Sequence, residues 1–327
     1  MPCGNFRYLF GPVASRRFGR SLGVDLLGQR ICSFDCTFCE AGPTQKCTME
    51  RAVYVPTDVV VAELRAWLGS GGMADVITLA GRGEPTLHQQ FGVVIDAIHR
   101  MCEIPVVLLS NGSLLGLPEV RRDAARADIV KISLSGWDDA SIAAVNRPAP
   151  GIGFDGYISG MIAFRKAFQG ELRLEIMFVN GLNTDEDRVA QLAHYARRIG
   201  ADKIELNTVV RPPSDHQAGA VPVEVLQRYA AIFGPTVVVL GRQAEALSPA
   251  GLAGQPGALS EKLLALLGRR GCTLDELAVG LGVERAALEA ILAQLRESGL
   301  VKPAEDREGY YQLAAKCGIT QNAVEKK

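Results

Sequence analysis

Cys32, Cys36 and Cys39 sit close together in the run Ile31-Cys32-Ser33-Phe34-Asp35-Cys36-Thr37-Phe38-Cys39-Glu40. Iron-sulfur clusters are held by cysteine thiolates, and a full set of ligands is four. Three at this spacing leave one iron open to something other than protein, which implies chemistry rather than simple electron carriage. The same residues also read as a zinc site, a redox dithiol or three unrelated core thiols. Zinc normally takes a fourth protein ligand at matching spacing, and the chain has no second C-x2-C.

Such a centre needs a sizeable protein around it. The chain has 327 residues, 48% hydrophobic and 22% charged, enough to bury a large core in one big or two unequal domains. A formal net charge of -1 gives no general attraction to nucleic acid or to an anionic membrane. Eight cysteines, three of them in the short run, fit a reducing cytoplasm better than a disulfide framework. No secretory signal is apparent, and no apolar run approaches the roughly 18 residues of a membrane span.

After the cysteine run, short β-branched segments alternate with longer amphipathic ones, the pattern of a parallel sheet covered by helices. Strands are expected at 21–27, 76–80, 106–110, 129–134, 172–179 and 203–210, with a seventh at the edge over 236–240. Helices are expected at 57–68, capped by Thr57, and at 185–199, with an acidic first turn and a basic last turn. This periodicity fits a barrel of β/α units or a doubly wound sheet. In a barrel, ligands gather at the carboxyl ends of the strands.

Residues 246–258 are uncharged and rich in Gly, Pro and Ala, a linker between a domain at 1–245 and a smaller one at 259–315, with a tail at 316–327. Few contacts are expected to cross it. In the small domain, helices opened by Ser260 and Thr273 and a third at 283–298 precede a hairpin of 299–301 and 310–313. Three helices and a hairpin make a winged-helix module.

Polar residues cluster where the strands end. Gly81-Arg82-Gly83-Glu84-Pro85 follows the second strand, where glycine permits close backbone approach. Asn111-Gly112 ends the third strand, though it also reads as a plain turn, and Ser133 lies on the fourth. Arg16, Arg17, Arg20, Arg147 and Arg211 offer guanidinium forks for phosphate or carboxylate, or else pair internally. His88, His99, His194 and His216 form no metal-spaced pair; His88 could line a pocket.

The C-x3-C-x2-C run, with an aromatic before its last cysteine and a Gly-Glu-Pro motif behind it, resembles the radical S-adenosylmethionine (SAM) superfamily. The resemblance implies an α/β fold, a partial (β/α)6 TIM-like barrel, and a 4Fe-4S cluster on Cys32, Cys36 and Cys39. It further implies that the open iron chelates SAM, and that an electron from the reduced cluster cleaves SAM to a 5'-deoxyadenosyl radical. By the same resemblance, the backbone of Gly81, Gly83 and Glu84 meets the SAM amino group, and Asn111 and Ser133 meet its ribose and carboxylate. Phe38 packs on the adenine or, equally, in the core. A reductant such as flavodoxin or ferredoxin is implied.

The stretches 11–23, Asn146-Arg147-Pro148 and 206–213 carry the resemblance to the wyosine-synthase-like iron-sulfur oxidoreductases, whose bacterial members share the winged helix. Wyosine synthases proper carry a second cluster on three further upstream cysteines and a lysine that engages pyruvate. Here only Cys3 lies upstream, and Cys47, Cys102, Cys272 and Cys317 are scattered, so one cluster is expected.

From Ser260 to Leu313, seven Lys or Arg face nine Asp or Glu, a net -2. Autonomous DNA binding is not expected of such a module, because phosphate contacts need cations. The chain therefore reads as a cytoplasmic radical SAM enzyme with a macromolecular substrate, RNA by resemblance or a protein or peptide by charge. Arg17, Arg147 and Arg211 are candidates for its anionic groups. The alternative is an iron-sulfur redox sensor or transcriptional regulator acting through the winged helix, which would not need the SAM-directed residues.

Overall fold

The computed structural model describes residues 6–15, 17–235, 237–240, 256–268, 271–281, 283–304 and 307–314. Cys3, Arg16, Cys317, the tail and most of the expected linker lie outside them. In chain order the strands are β1 (Leu9–Ser15), β2 (Gly19–Val24), β3 (Ile31–Cys32), β4 (Lys46–Cys47), β5 (Val76–Leu79), β6 (Val106–Leu109) and β7 (Ile129–Ser133). They continue with β8 (Glu171–Phe178), β9 (Lys203–Thr208), β10 (Val237–Val239), β11 (Cys272–Thr273), β12 (Val301–Pro303) and β13 (Tyr310–Leu313). The helices are α1 (Thr57–Gly69), α2 (Phe91–Met101), α3 (Pro118–Ala124), α4 (Asp139–Val145) and α5 (Phe154–Ala167). After them come α6 (Glu186–Ile199), α7 (Val223–Phe233), α8 (Pro256–Leu267), α9 (Leu274–Leu281) and α10 (Arg285–Glu297).

One sheet runs β1-β2-β5-β6-β7-β8-β9-β10, parallel from β2 to β10, with β1 antiparallel at its edge. Each parallel strand lies beside its predecessor, so right-handed crossovers put the helices on one face. The order never reverses. That removes the switch point a doubly wound sheet would have.

Strand alternation gives the sheet two unlike faces. Leu22, Ile77, Leu108, Val130, Leu174 and Leu206 are fully buried in one core with the helices. On the other face Lys131, Glu175, Glu205 and Asn207 are also buried, and burial of charge demands partners. Glu175 takes Arg17, Lys131 and Asn207, while Glu205 takes Arg17 and Arg173.

The expected strands all form, and β1 and the two-residue strands β3, β4 and β11 are additional. Two expected caps differ. Thr57 is the first residue of α1 and donates its hydroxyl to Gln90 Oε1 at 2.6 Å, and Ser260 lies within α8 rather than ahead of it. At α6, expected to begin with residue 185, Asp185 instead precedes the helix and caps it, accepting from the N–H groups of Asp187 and Arg188.

The carboxy-terminal elements form a second core around Leu263, Leu277, Leu288 and Leu292, with β11, β13 and β12 as a small sheet. Phe10 and Val13 of β1 pack into this core, Arg211 pairs with Glu276 on α9, and Arg307 donates to the Val209 carbonyl at 3.1 Å. The expectation of few crossing contacts is therefore corrected. Gly23 explains part of it: a Cβ there would lie 2.0 Å from Phe10 Cζ, so glycine lets that ring cross β2.

Candidate functional site

The cysteine run starts as β3, paired in register with β4 so that Cys32 stands beside the exposed Cys47. Thr48 N–H donates to the Cys32 carbonyl at 2.9 Å, and the loop then turns through Cys39 N–H to Cys36 O at 3.1 Å. Asp35 holds the loop from within by accepting from Thr44 N–H at 2.7 Å.

Burial pushes the thiols of Cys32, Cys36 and Cys39 upward, and their mutual proximity adds to this for Cys32 and Cys36. Three half-buried thiolates held this close need a cation, as iron would supply. Sulfur-directed donors are already present: Asn146 Nδ2 lies 3.3 Å from Cys36 Sγ, and Asn111 Nδ2 lies 3.6 Å from Cys32 Sγ. Among the described residues, no three His, Cys, Asp or Glu side chains converge on a single-ion position. A four-iron cluster does not require it, since each cysteine binds a different iron.

The glycine motif abuts this loop. A Cβ on Gly83 would lie 1.7 Å from the Ile31 carbonyl oxygen, and one on Gly81 would lie 2.6 Å from Asp25. Only glycine lets the 81–84 backbone lie there, and Glu84 N–H then donates to Ile31 O at 3.1 Å. The buried Glu84 carboxylate accepts from Thr86 N–H and Oγ1, from Ser110 Oγ at 2.7 Å and from Asn111 N–H at 2.6 Å. Burial raises its pKa, opposed by these donors. Glu84 thus joins the ends of β5 and β6.

Asn111 sits between Glu84 and the cysteines, its Nδ2 also donating to Ser33 Oγ at 2.8 Å. Ser133 ends β7, and Tyr157 Oη on α5 donates to the carbonyls of both Asn111 and Ser133, which ties two strand ends together. Phe38 packs on a separate small cluster of Val145, Met177, Val179, Val209 and Ala218. His88 is fully buried, with Nε2 bound to Val55 O at 2.8 Å, so it braces the core.

The arginines take the internal alternative. Arg17 lies in the buried network with Glu175 and Glu205, and Arg211, 6% exposed, bridges Glu40 at 3.0 Å and Glu276 at 2.5 Å. Arg20 pairs with Asp75 at 3.0 Å. Arg147 pairs with Asp215 at 2.5 Å, yet its side chain remains 47% exposed. Tyr157, Asn146 and Ser214 are neighbours of the cysteine loop that sequence reading missed. The Asn146-Arg147-Pro148 stretch is legible as a motif and gives Arg147 as a candidate for anionic groups, but it gives Asn146 no role.

The model of the radical SAM superfamily matches residues 26–193, just over half of the chain. The chain belongs to that superfamily, and its cofactors are the superfamily's own, a 4Fe-4S cluster and SAM. It is similar to the UPF0026 protein of Methanocaldococcus jannaschii, 33% identical over 230 residues, covering 70% of this chain and 71% of that protein. It is also similar to the GTPase Obg of Brachyspira hyodysenteriae, 29% identical over 90% of this chain and 43% of that protein, so it spans under half that relative's length. The fold resembles Streptococcus suis SuiB bound to precursor peptide SuiA, with a TM-score of 0.52, 14% identity, and 67% of this chain and 48% of that chain covered. No described helix is long and apolar enough to cross a membrane.

Proposed function

We propose that the chain is a radical SAM enzyme that modifies a macromolecular substrate, with Cys32, Cys36 and Cys39 as cluster ligands. One observation carries this reading: Gly83, Glu84 and Asn111 draw the ends of β5 and β6 onto the cysteine loop. A redox sensor has no need of that convergence. The six β/α units from β2 to α7 correspond to a partial (β/α)6 barrel, and α8 to β13 to a winged helix.

When bound, the cluster and SAM supply a 5'-deoxyadenosyl radical for hydrogen abstraction, drawing electrons from a flavodoxin- or ferredoxin-like reductant. The chain's own residues do the rest. The 81–84 backbone receives the SAM amino group, Asn111 and Ser133 orient its ribose and carboxylate, and Phe38 with its apolar neighbours keeps water from the cysteine loop. Of the candidate substrate arginines, Arg147 is the one left with a largely accessible side chain, which suits an anionic group at the mouth of the site.

The sequence stretches shared with wyosine-synthase-like enzymes favour RNA, whereas the net -2 of the carboxy-terminal unit favours a protein or peptide. The test is anaerobic reconstitution, an iron count, and assay of 5'-deoxyadenosine after reduction by dithionite. Replacing any of Cys32, Cys36 or Cys39 by Ala should abolish the cluster, while Cys102→Ala should leave iron unchanged. Full iron in all three single variants would refute the assignment. Mass spectrometry of RNA and protein from cells with and without the gene then identifies the substrate.

A further inference from the structure

Two segments, the 146–148 turn and the loop after β9, close on residues 33–37. Asp35 N–H donates to the carbonyls of Asn146 and Arg147 at 3.0 and 3.1 Å, Thr37 N–H to Val145 O at 3.0 Å, and Ala149 N–H to Ser33 O at 2.8 Å. From the other side Ser214 Oγ donates to Cys36 O at 2.7 Å, and Asp215 N–H to Thr37 O at 3.0 Å. The Arg147–Asp215 ion pair, at 2.5 Å, joins the two segments.

Arg147 has φ +47°, and among the described residues it is the one non-glycine with positive φ. Such a conformation persists where its surroundings impose it. Here it turns the chain immediately after Asn146, whose side chain is buried against Cys36. Chemistry fixes which end of that amide faces the sulfur, because Oδ1 would be repelled by a thiolate whereas Nδ2 donates to it. Oδ1 is buried without a partner, so nothing on that side favours the flipped amide.

We propose that Asn146 is a positioning residue that sets how readily the cofactor centre accepts an electron, through its N–H···S bond to Cys36, with the 146–148 turn and the Ser214–Asp215 pair as the clamp that aims it. The inference rests on the reading of Cys36 as a cluster ligand. An amide donor draws electron density from the ligating sulfur and favours the reduced centre, and hydrogen bonds to sulfur are a recognised determinant of cluster potential.

The test is a redox titration of the reconstituted full chain, followed by electron paramagnetic resonance, with iron counted in each sample. Asn146→Leu should keep its iron and shift the midpoint to more negative potential. Asn146→Asp, which loses the donor and adds a negative charge, should shift it further. An unchanged midpoint at full iron in Asn146→Leu would overturn the proposal. Should that variant fail to load, Asn111→Ala protein carrying asparagine labelled with 15N in the side chain decides, because Asn111 is the other amide beside a cysteine sulfur: the reduced cluster should show coupling to amide nitrogen in pulsed spectra, and its absence overturns the proposal. A wild type that binds no iron would instead defeat the cluster assignment itself, so the two failures are distinct.

Discussion

Gly83 and Glu84 do different work from what their motif suggests on its own. The close approach that requires glycine is to the Ile31 carbonyl, one residue ahead of Cys32, and the Glu84 carboxylate is occupied by donors of its own chain. Gly83→Ala should therefore separate the glycine loop from the cysteine loop and lower both iron loading and SAM affinity, measured by iron assay and calorimetry. Glu84→Gln puts an amide where either the Asn111 N–H or the Thr86 N–H must be accepted. That leaves a buried donor unpaired and should cost about 1–3 kcal/mol in urea unfolding. The cysteines and the glycine motif were legible because their spacing is local. Asn146 was not, because its sulfur partner lies 110 positions away, and no sequence period reports such a pairing.

Among the elements, the parallel strands were legible because their helix-facing residues are uniformly aliphatic, as in Val106–Leu109 and Val237–Val239. β1 was hidden by Gly11 and Pro12, which interrupt its pattern at the register shift between Phe10 and Val13. Also hidden was the polar face of β7, β8 and β9, where Lys131, Glu175 and Glu205 read as ordinary charges until the sheet buries them together. Burial acts to raise the carboxyl pKa of Glu175, but Arg17, Lys131 and Asn207 more than reverse it and hold it well below the ordinary carboxylate range. A lowered folded-state pKa gives stability that is present above the ordinary carboxylate range and lost as pH falls. Urea midpoints should thus hold near neutrality and fall as the pH drops into and below the ordinary carboxylate range, and Glu175→Gln should flatten that dependence. At pH 7 the variant should lose about 3 kcal/mol, since two buried cations are left short of a partner. Equal pH slopes in the two proteins would show that Glu175 does not carry this dependence.

At the scale of the whole molecule, the carboxy-terminal unit is fastened to the sheet and, through one guanidinium, to the neighbourhood of the cysteines. Glu40 directly follows Cys39, and Arg211 joins it to Glu276 of α9, across separations of 171 and 65 residues. The acidic composition of the unit was readable from the sequence; its docking on Phe10, Val13 and Arg211 was not. Removing everything after residue 240 should leave iron binding in place, because the cysteines, the glycine loop, Asn111 and Asn146 all precede the cut. The truncated chain should nevertheless unfold at a lower temperature, since Phe10 and Val13 together lose about 3 kcal/mol of burial and Arg211 loses one of its two carboxylates. Arg211→Met in the full chain separates these contributions: Glu40 and Glu276 are left without their shared cation, so α9 should lose hydrogen-exchange protection before β8 and β9 do. Unfolding temperatures equal in full and truncated chains, with α9 protection unchanged in Arg211→Met, would mean that the contacts across the interface contribute nothing and that the unit is tethered rather than docked.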